Sequence, residues 1–373
     1  MRYKILFISS WFPNKLEPTN GNFVQRHAEA VAQLQDVEIL HAIGDFNQNE
    51  KFIFDDKVIN RIRTLVVYYK NTKSPILNFF RRMKAYKMGF GKMERPDLVH
   101  ANVLHNSMLF AVYLKKKYKI PFVVTEHWTA LRKINEKTTS KNIKRNAKII
   151  GNQSARILPV SKDLEIGLKN LGLNTPMKVV PNVVDTTLFS PKNTQNISFT
   201  FIHVSNLIPR KNPEKILNVA LKLLEKGFDI KLQIGGDGNI TKLKEIANSS
   251  NYKDKIDVFG IQKIQEIAER MKQSDCFILY SDDENQPCVI AESFASGIKV
   301  ISKNVGGISE FFPLNAGILL DKIDDDLLEK AMIEMFNNKN SNGEFLVKYA
   351  KSTFSSKTIA EEYSKIYTEI LRE

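Results

Sequence analysis

Glu284 and Glu292 stand with seven residues between them in FILYSDDENQPCVIAESFASGIKVISKNVGGISE, residues 277–310. A carboxylate can take two hydroxyl donors at once, so such a pair suits a hydroxyl-rich ligand. Glu284 falls in the loop after an apolar run and Glu292 on the helix that follows. That is the edge where open α/β sheets bind ligands. Arg210 and Lys211 form a second group, just past the apolar run Phe201–Val204. A guanidinium grips two oxygens in a fork and an ammonium acts as a point charge, so together they suit a diphosphate, where two solvated surface cations are the plainer alternative. His127 ends a third apolar run in VVTEHWTAL; a histidine there is either structural or a contact to substrate. Gly21-Asn22 opens a helix after the first strand, as a close approach to phosphate or as a surface turn with a capping asparagine. The spacing is not G-x-G-x-x-G, so a nicotinamide dinucleotide site is not supported. Gly235-Gly236-Asp237-Gly238 marks a turn.

The elements that must position these groups alternate along the chain. Lys4–Ser9 reads as a strand and Asn22–Leu34 as a helix, with Phe23, His27, Ala30, Val31 and Leu34 at helical spacing. Val37–His41, Ile62–Tyr68, Leu98–Ala101, Phe122–Thr125 and Ile157–Val160 read as further strands, and Asn106–Lys117 as a helix. The pattern restarts with strand Phe199–Ser205, helix Asn212–Lys226 and strand Ile230–Gly235. Strand Val258–Phe259, helix Ile264–Gln273 and strand Phe277–Tyr280 follow. A short helix opens at Pro287 and stops at Gly297, before strand Lys299–Ser302. Strands separated by helices predict parallel sheets covered on both faces. The join between the two halves lies in VVPNVVDTTLFSP, residues 179–191.

The 373 residues are enough for two domains, and 43% hydrophobic with 26% charged residues is a globular composition. No run of 18 or more apolar residues predicts a membrane span. The apolar part of the N-terminus is too short for a signal peptide, so the expected compartment is the cytoplasm. Cys276 and Cys288 read as buried free thiols. The net charge of +14 is uneven. Residues 1–180 hold 31 Lys and Arg against 14 Asp and Glu, whereas residues 181–373 hold 24 against 27. Part of the excess lies in residues 73–90, where Ile76, Leu77, Phe79, Phe80, Met83, Tyr86 and Met88 mingle with Arg81, Arg82, Lys84 and Lys87. This suits an amphipathic helix on an anionic membrane surface, or a core-facing helix with a solvated basic face. No helix-turn-helix, zinc or RNA-binding signature accompanies the charge, so nucleic acid is not an expected partner.

The string from Phe277 to Glu310 resembles the E-x7-E signature of retaining glycosyltransferases with the GT-B fold, in particular glycosyltransferase family 4, and the likeness covers nearly the whole chain. The resemblance implies an α/β protein of two Rossmann-like domains whose parallel sheets face across a cleft. Residues 1–180 would bind the acceptor and 181–357 the nucleotide sugar, and residues 358–373, carrying the helix Ile359–Leu371, would cross back to the first domain. Glu284 would bind sugar hydroxyls and Glu292 the ribose. Amides of the loop 285–289, including Cys288 and Val289, would contact sugar or phosphates. Gly236 would lie near the base, and Gly21 and Asn22 would face the cleft. His127 matches a T-x-H position that reaches the donor sugar; His100, His105 and Ser161 are weaker matches. Arg210 and Lys211 would neutralise the leaving diphosphate with neither metal nor cofactor. Asn182 and Asp185 match a structural N-G-V-D. Several positions depart from the pattern: Val183, Asn206, Asn212, Asn285-Gln286-Pro287, Lys299 and Trp128, the last marking an acceptor pocket. The implied reaction moves a sugar from a UDP- or GDP-sugar to a hydroxyl of a glycan acceptor, lipid-linked, in surface polysaccharide assembly at the inner face of the cell membrane. The alternatives are a nucleotide-sugar epimerase on the same fold and a non-catalytic partner subunit.

Overall fold

The computed structural model describes residues 2–192, 198–338 and 343–372. It divides into two compact units, Met1–Val183 with Ser356–Glu373, and Val184–Ser355.

The first unit opens with β1 (Lys4–Ser9), α1 (Asn22–Val31), β2 (Asp36–Asp45), β3 (Phe52–Ile59) and β4 (Ile62–Lys70). It continues with α2 (Pro75–Phe90), β5 (Leu98–Asn102), α3 (Leu109–Tyr118) and β6 (Phe122–Glu126). It closes with α4 (Lys141–Gly151), β7 (Arg156–Pro159) and α5 (Lys162–Asn170). The strand order is β3-β4-β2-β1-β5-β6-β7. The inner strands β1, β5 and β6 are buried almost throughout, as strands covered on both faces must be. One expectation needs correcting here. The sheet is not wholly parallel, because β3 pairs antiparallel with β4. The two strands are joined through Asn60 and Arg61, both at positive φ (48° and 66°), as a tight hairpin turn requires.

The second unit carries β8 (Phe199–Ser205), α6 (Pro213–Glu225), β9 (Ile230–Gly236), α7 (Thr241–Asn248), β10 (Ile256–Phe259) and α8 (Ile264–Lys272). Then come β11 (Cys276–Leu279), α9 (Cys288–Ala295), β12 (Lys299–Lys303), β13 (Gly317–Leu320), α10 (Asp325–Asn337) and α11 (Glu344–Phe354). Its sheet, β10-β9-β8-β11-β12-β13, is parallel throughout. In both sheets the chain winds outward from the first strand in one direction, then returns and winds in the other. The reversal falls between β1 and β5 in the first sheet and between β8 and β11 in the second.

The last helix, α12 (Ser356–Arg372), belongs to the first unit. Ile359, Tyr363, Ile366, Tyr367 and Ile370 are buried on one face, as their helical spacing predicts. Its tyrosines also reach a buried polar chain. Tyr367 Oη meets His100 Nδ1 (2.6 Å), and His100 Nε2 meets Thr125 Oγ1 (2.6 Å). Thr125 Oγ1 meets Tyr363 Oη (3.2 Å), which meets His27 Nδ1 (2.7 Å). His100 is therefore a structural residue within β5.

Burial holds these imidazoles neutral. It lowers His27 to about 3 and His41 to about 4, and pushes His100 well below the ordinary value. An unfolded chain protonates the same rings near pH 6.5, so their stabilising effect is complete above that pH and is lost as pH falls towards the folded values. Each ring costs roughly 2 kcal/mol of stability at pH 5. Glu126, raised by burial to about 7, runs the other way: its folded form takes up a proton first, which offsets about one histidine. The expected outcome is a first unit that loses several kcal/mol between pH 7 and pH 5, read as a falling urea midpoint. A midpoint that stays level across that range would mean the rings are not held neutral.

Candidate functional site

In the second unit the sheet reversal brings two loops together. β8 ends at Ser205, whose hydroxyl meets His203 Nε2 (2.9 Å) and accepts the Leu207 N–H (3.1 Å). The exit of β9 lies directly against it. A Cβ on Gly236 would fall 2.0 Å from the Ser205 carbonyl oxygen, so this position, at φ +131°, requires glycine. The loop then tightens into a short turn, Pro209–Lys211, ending at Asn212 in the left-handed region (φ 50°). Asparagine tolerates that backbone, which explains how it stands where the family pattern has glycine. Its amide also donates to the Tyr280 carbonyl (3.0 Å), tying this loop to the end of β11.

The two loops meet again through charge. The Asp282 N–H donates to the Arg210 carbonyl (2.8 Å). Lys211 Nζ pairs with Glu284 Oε1, with only 12% and 9% of the two side chains exposed. Arg210 stays 42% exposed, its guanidinium 4.0 Å from Asp283. Asn285 and Gln286 are buried beside Glu284, and the Asn285 carbonyl accepts the Gly307 N–H (3.0 Å). Pro287 is the N-cap of α9 rather than its first helical residue. The amides of Cys288 and Val289 thus lie in the first helical turn, where N–H groups lack intrahelical acceptors. Glu292 is buried one turn further along. Of the two thiols, Cys276 is buried as expected, but Cys288 is only half-buried because it sits at this helix start.

The first unit builds a different surface at its own reversal. His127 and Trp128 follow β6, and their N–H groups donate to Glu126 Oε1 (2.8 and 2.7 Å). The other oxygen of Glu126 accepts the Leu104 N–H. Leu104 follows Val103, a β-branched residue held at φ 69°. That strained backbone turns the loop after β5 towards the carboxylate. Glu126 was not singled out from sequence, although an acid ending the apolar run Phe122–Thr125 is its signal. His127 is half-buried as a residue, but its Nε2 is covered, and burial keeps the imidazole neutral. Phe23 lies 4.3 Å from its ring centroid. Asn182 sits beside His27 and His127 and partly counters the effect of burial on both. Gly21, at φ +73°, is the N-cap of α1 and Asn22 its exposed first residue. A Cβ on Gly21 would lie 2.4 Å from the Trp11 carbonyl, so this glycine serves close packing of the loop after β1.

Residues 185–353 match the family described as Glycosyl transferases group 1, and residues 21–188 match Glycosyltransferase Family 4. A human phosphatidylinositol N-acetylglucosaminyltransferase subunit is 28% identical over 199 residues, covering 52% of this chain and 41% of that protein. The Escherichia coli UDP-Gal:alpha-D-GlcNAc-diphosphoundecaprenol alpha-1,3-galactosyltransferase is 27% identical over 266 residues, or 66% of each chain. The chain thus spans two fifths and two thirds of the length of these two relatives. The Anabaena protein HepE, crystallised with UDP, aligns with a TM-score of 0.74 at 16% identity, covering 98% of this chain and 100% of that one. The shared architecture is the GT-B fold.

The Lys211–Glu284 pair is testable without any ligand. Lys211→Ala leaves a nearly buried carboxylate without its cation, and is expected to cost about 3 kcal/mol of unfolding free energy. Adding Glu284→Gln should recover most of that loss in a double-mutant cycle. If the two changes simply add, the pair is not coupled.

Proposed function

From a chain that belongs to the group 1, family 4 glycosyltransferases, we propose a retaining transfer of a hexose from a UDP- or GDP-sugar to a hydroxyl of a lipid-linked glycan. The observation that carries this reading is the pairing of Lys211 with Glu284 and of Arg210 with Asp283 at the reversal of the second sheet, with Glu292 on the helix that follows. In this reading Glu284 accepts hydrogen bonds from sugar hydroxyls and Glu292 from the ribose. The cations and the first amides of α9, those of Cys288 and Val289, take the diphosphate, while Gly236 leaves room near the base. Gly21 and Asn22 supply a further backbone approach, and neutral His127 offers a hydrogen bond to a sugar hydroxyl. The bond from the anomeric carbon to the diphosphate breaks and a bond to the acceptor oxygen forms on the same face. The acceptor proton passes to the departing phosphate oxygen. Arg210 and Lys211 stabilise the charge that develops there. The UDP bound by HepE supports a uridine donor, and the diphosphoundecaprenol acceptor in the E. coli relative's name supports a lipid-linked one.

The surface of α2 supports work at a membrane. Its apolar residues divide between two faces. Tyr86 packs inside, while Ile76 (72% exposed), Phe80 (63%), Leu77 and Met88 share the outer face with Lys84 and Lys87. An apolar stripe flanked by ammonium groups suits anionic headgroups. The same helix sends Arg82 to Asn106 Oδ1 (3.3 Å) and Ser107 Oγ (3.1 Å), beside the reversal of the first sheet. These features support our reading that the reaction runs at the inner face of the cell membrane.

Two measurements test these proposals. Purified protein given a panel of UDP- and GDP-sugars with membrane extract should release nucleoside diphosphate from one donor. Glu292→Ala and Lys211→Ala should each reduce the release by roughly a hundredfold or more. Silence with every donor, together with no thermal shift by UDP or GDP, would sink the donor-site assignment. In the second measurement, the protein should float with vesicles rich in anionic lipid, less so at high salt. Phe80→Asp should abolish flotation without lowering the melting temperature. Equal flotation with neutral vesicles would remove the electrostatic part of the proposal.

A further inference from the structure

The reversal of the first sheet carries rings where that of the second carries charge. The chain has two tryptophans, Trp11 and Trp128. Folding brings them edge to face, with centroids 5.9 Å apart at 87°. Each is held from behind. The Trp11 N–H donates to Ser9 Oγ (3.1 Å), that hydroxyl donates back to the Trp11 carbonyl (2.5 Å), and Gly21 closes against the same carbonyl. The Trp128 N–H is fixed by the buried carboxylate of Glu126. Phe23 abuts Trp11 at 6.2 Å, and His105 abuts Trp128 at 6.1 Å. All four rings are half-buried. A tryptophan is seldom buried completely even in a core, so the exposure of these two carries weight only together with their pairing and their place in the fold. These two are clamped by their backbones and left partly open at the sheet edge where α/β folds hold ligands.

The rim narrows the class of ligand. Beside the rings lie His105, Asn106 and the Arg82 guanidinium that reaches Asn106. A pyranose presents a face of C–H bonds that packs against an aromatic surface, and hydroxyls around its edge that pair with such groups. An acyl chain would cover the rings but would strip water from the polar rim without offering it a hydrogen bond, which is costly. We propose that Trp11 and Trp128 form an aromatic platform that seats a pyranose ring of the acceptor glycan, an assignment that rests on the glycosyl-transfer reading above. Glu126 and Gly21 are then positioning residues for the platform.

Because the chain holds no other tryptophan, emission excited selectively from tryptophan reports this site alone. The full chain, without nucleotide, would be titrated with the methyl glycosides of glucose, galactose and N-acetylglucosamine. Binding of UDP and GDP would be followed separately by thermal shift. The expected result is a saturable change in emission with at least one glycoside. Trp128→Ala should weaken that binding by about tenfold, the scale of one lost aromatic contact, and leave nucleotide binding unchanged. Trp128→Phe, which keeps a ring, should retain most of the affinity and guards against loss of folding in the alanine variant. In transfer assays Trp128→Ala should raise the acceptor KM by a similar factor and leave the donor KM within about twofold. Nucleotide binding with no response to any glycoside would overturn the platform while the transferase reading stands. A glycoside response without nucleotide binding would do the reverse. Emission that shifts with plain lipid vesicles and not with glycosides would overturn the platform in favour of an acyl chain.

Discussion

A parallel sheet whose winding direction reverses beside its first strand leaves a gap at its carboxyl edge, because the two helices that follow the neighbouring strands depart to opposite faces. Everything else in this chain is arranged around two such gaps. Between β8 and β11 the gap is closed by side-chain and backbone groups that pair across it: Lys211 to Glu284, the Asn212 side chain to the Tyr280 carbonyl, the Asp282 N–H to the Arg210 carbonyl. Between β1 and β5 the loops turn instead on Ser9, Val103 and Gly21, and the end of β6 on Glu126. The strand order accounts for the location of the two sites, and the loop chemistry for their difference.

The charged site of the second unit was legible in the sequence because its signals are local. Glu284, Glu292, Pro287 and Gly297 fall within one strand–helix–strand unit, and their spacing is a consequence of that unit's length. Arg210 and Lys211 are read from a strand exit in the same way. The aromatic surface of the first unit was less legible, since Trp11 and Trp128 meet only through a strand order that no spacing records. Glu126 was hidden for a related reason. Its partners are amides of two loops separated in the chain, and a single acid at the end of FVVTE reads as the polar end of a strand. The hairpin strand β3 was missed because Asp55, Asp56 and Lys57 interrupt its apolar pattern, which an edge strand with a solvated face tolerates. The helical period of α2 was plain, but the choice between Tyr86 inward and Phe80 outward is made by the core it packs on.

Histidines illustrate the limit of reading residue types. His100 and His127 both occur at strands of the first sheet and both echo family positions, yet their surroundings separate them. His100 is bonded on both nitrogens, to Tyr367 and Thr125, and closes the contact between α12 and β5. His127 packs instead beside Phe23, with His27 between it and the same helix. The C-terminal helix therefore does more than cover apolar surface. Through Tyr363 and His27 it supports the back of the ring that the reading above assigns to substrate. Burial makes this support depend on neutral imidazoles, so the integrity of the first unit and the state of its site are coupled through the same groups.

The contrast between the two reversals fits the chemistry of a transfer between unlike partners. A nucleoside diphosphate sugar brings two phosphates, and in the proposed reading the second sheet would meet it with cations and the start of a helix. Lys211 is neutralised by Glu284 in this structure, so no bare ammonium is left nearly buried without a counter-charge. When an anion arrives, the same lysine can exchange one set of oxygens for another with little change in net desolvation, and Glu284 is released to accept hydroxyls. The platform of the first sheet has no comparable charge to satisfy. Its affinity would come from ring contact and a few rim hydrogen bonds, which are weaker and reverse readily. In the proposed transfer, such an arrangement would hold the charged donor by electrostatics and let a neutral glycan acceptor come and go.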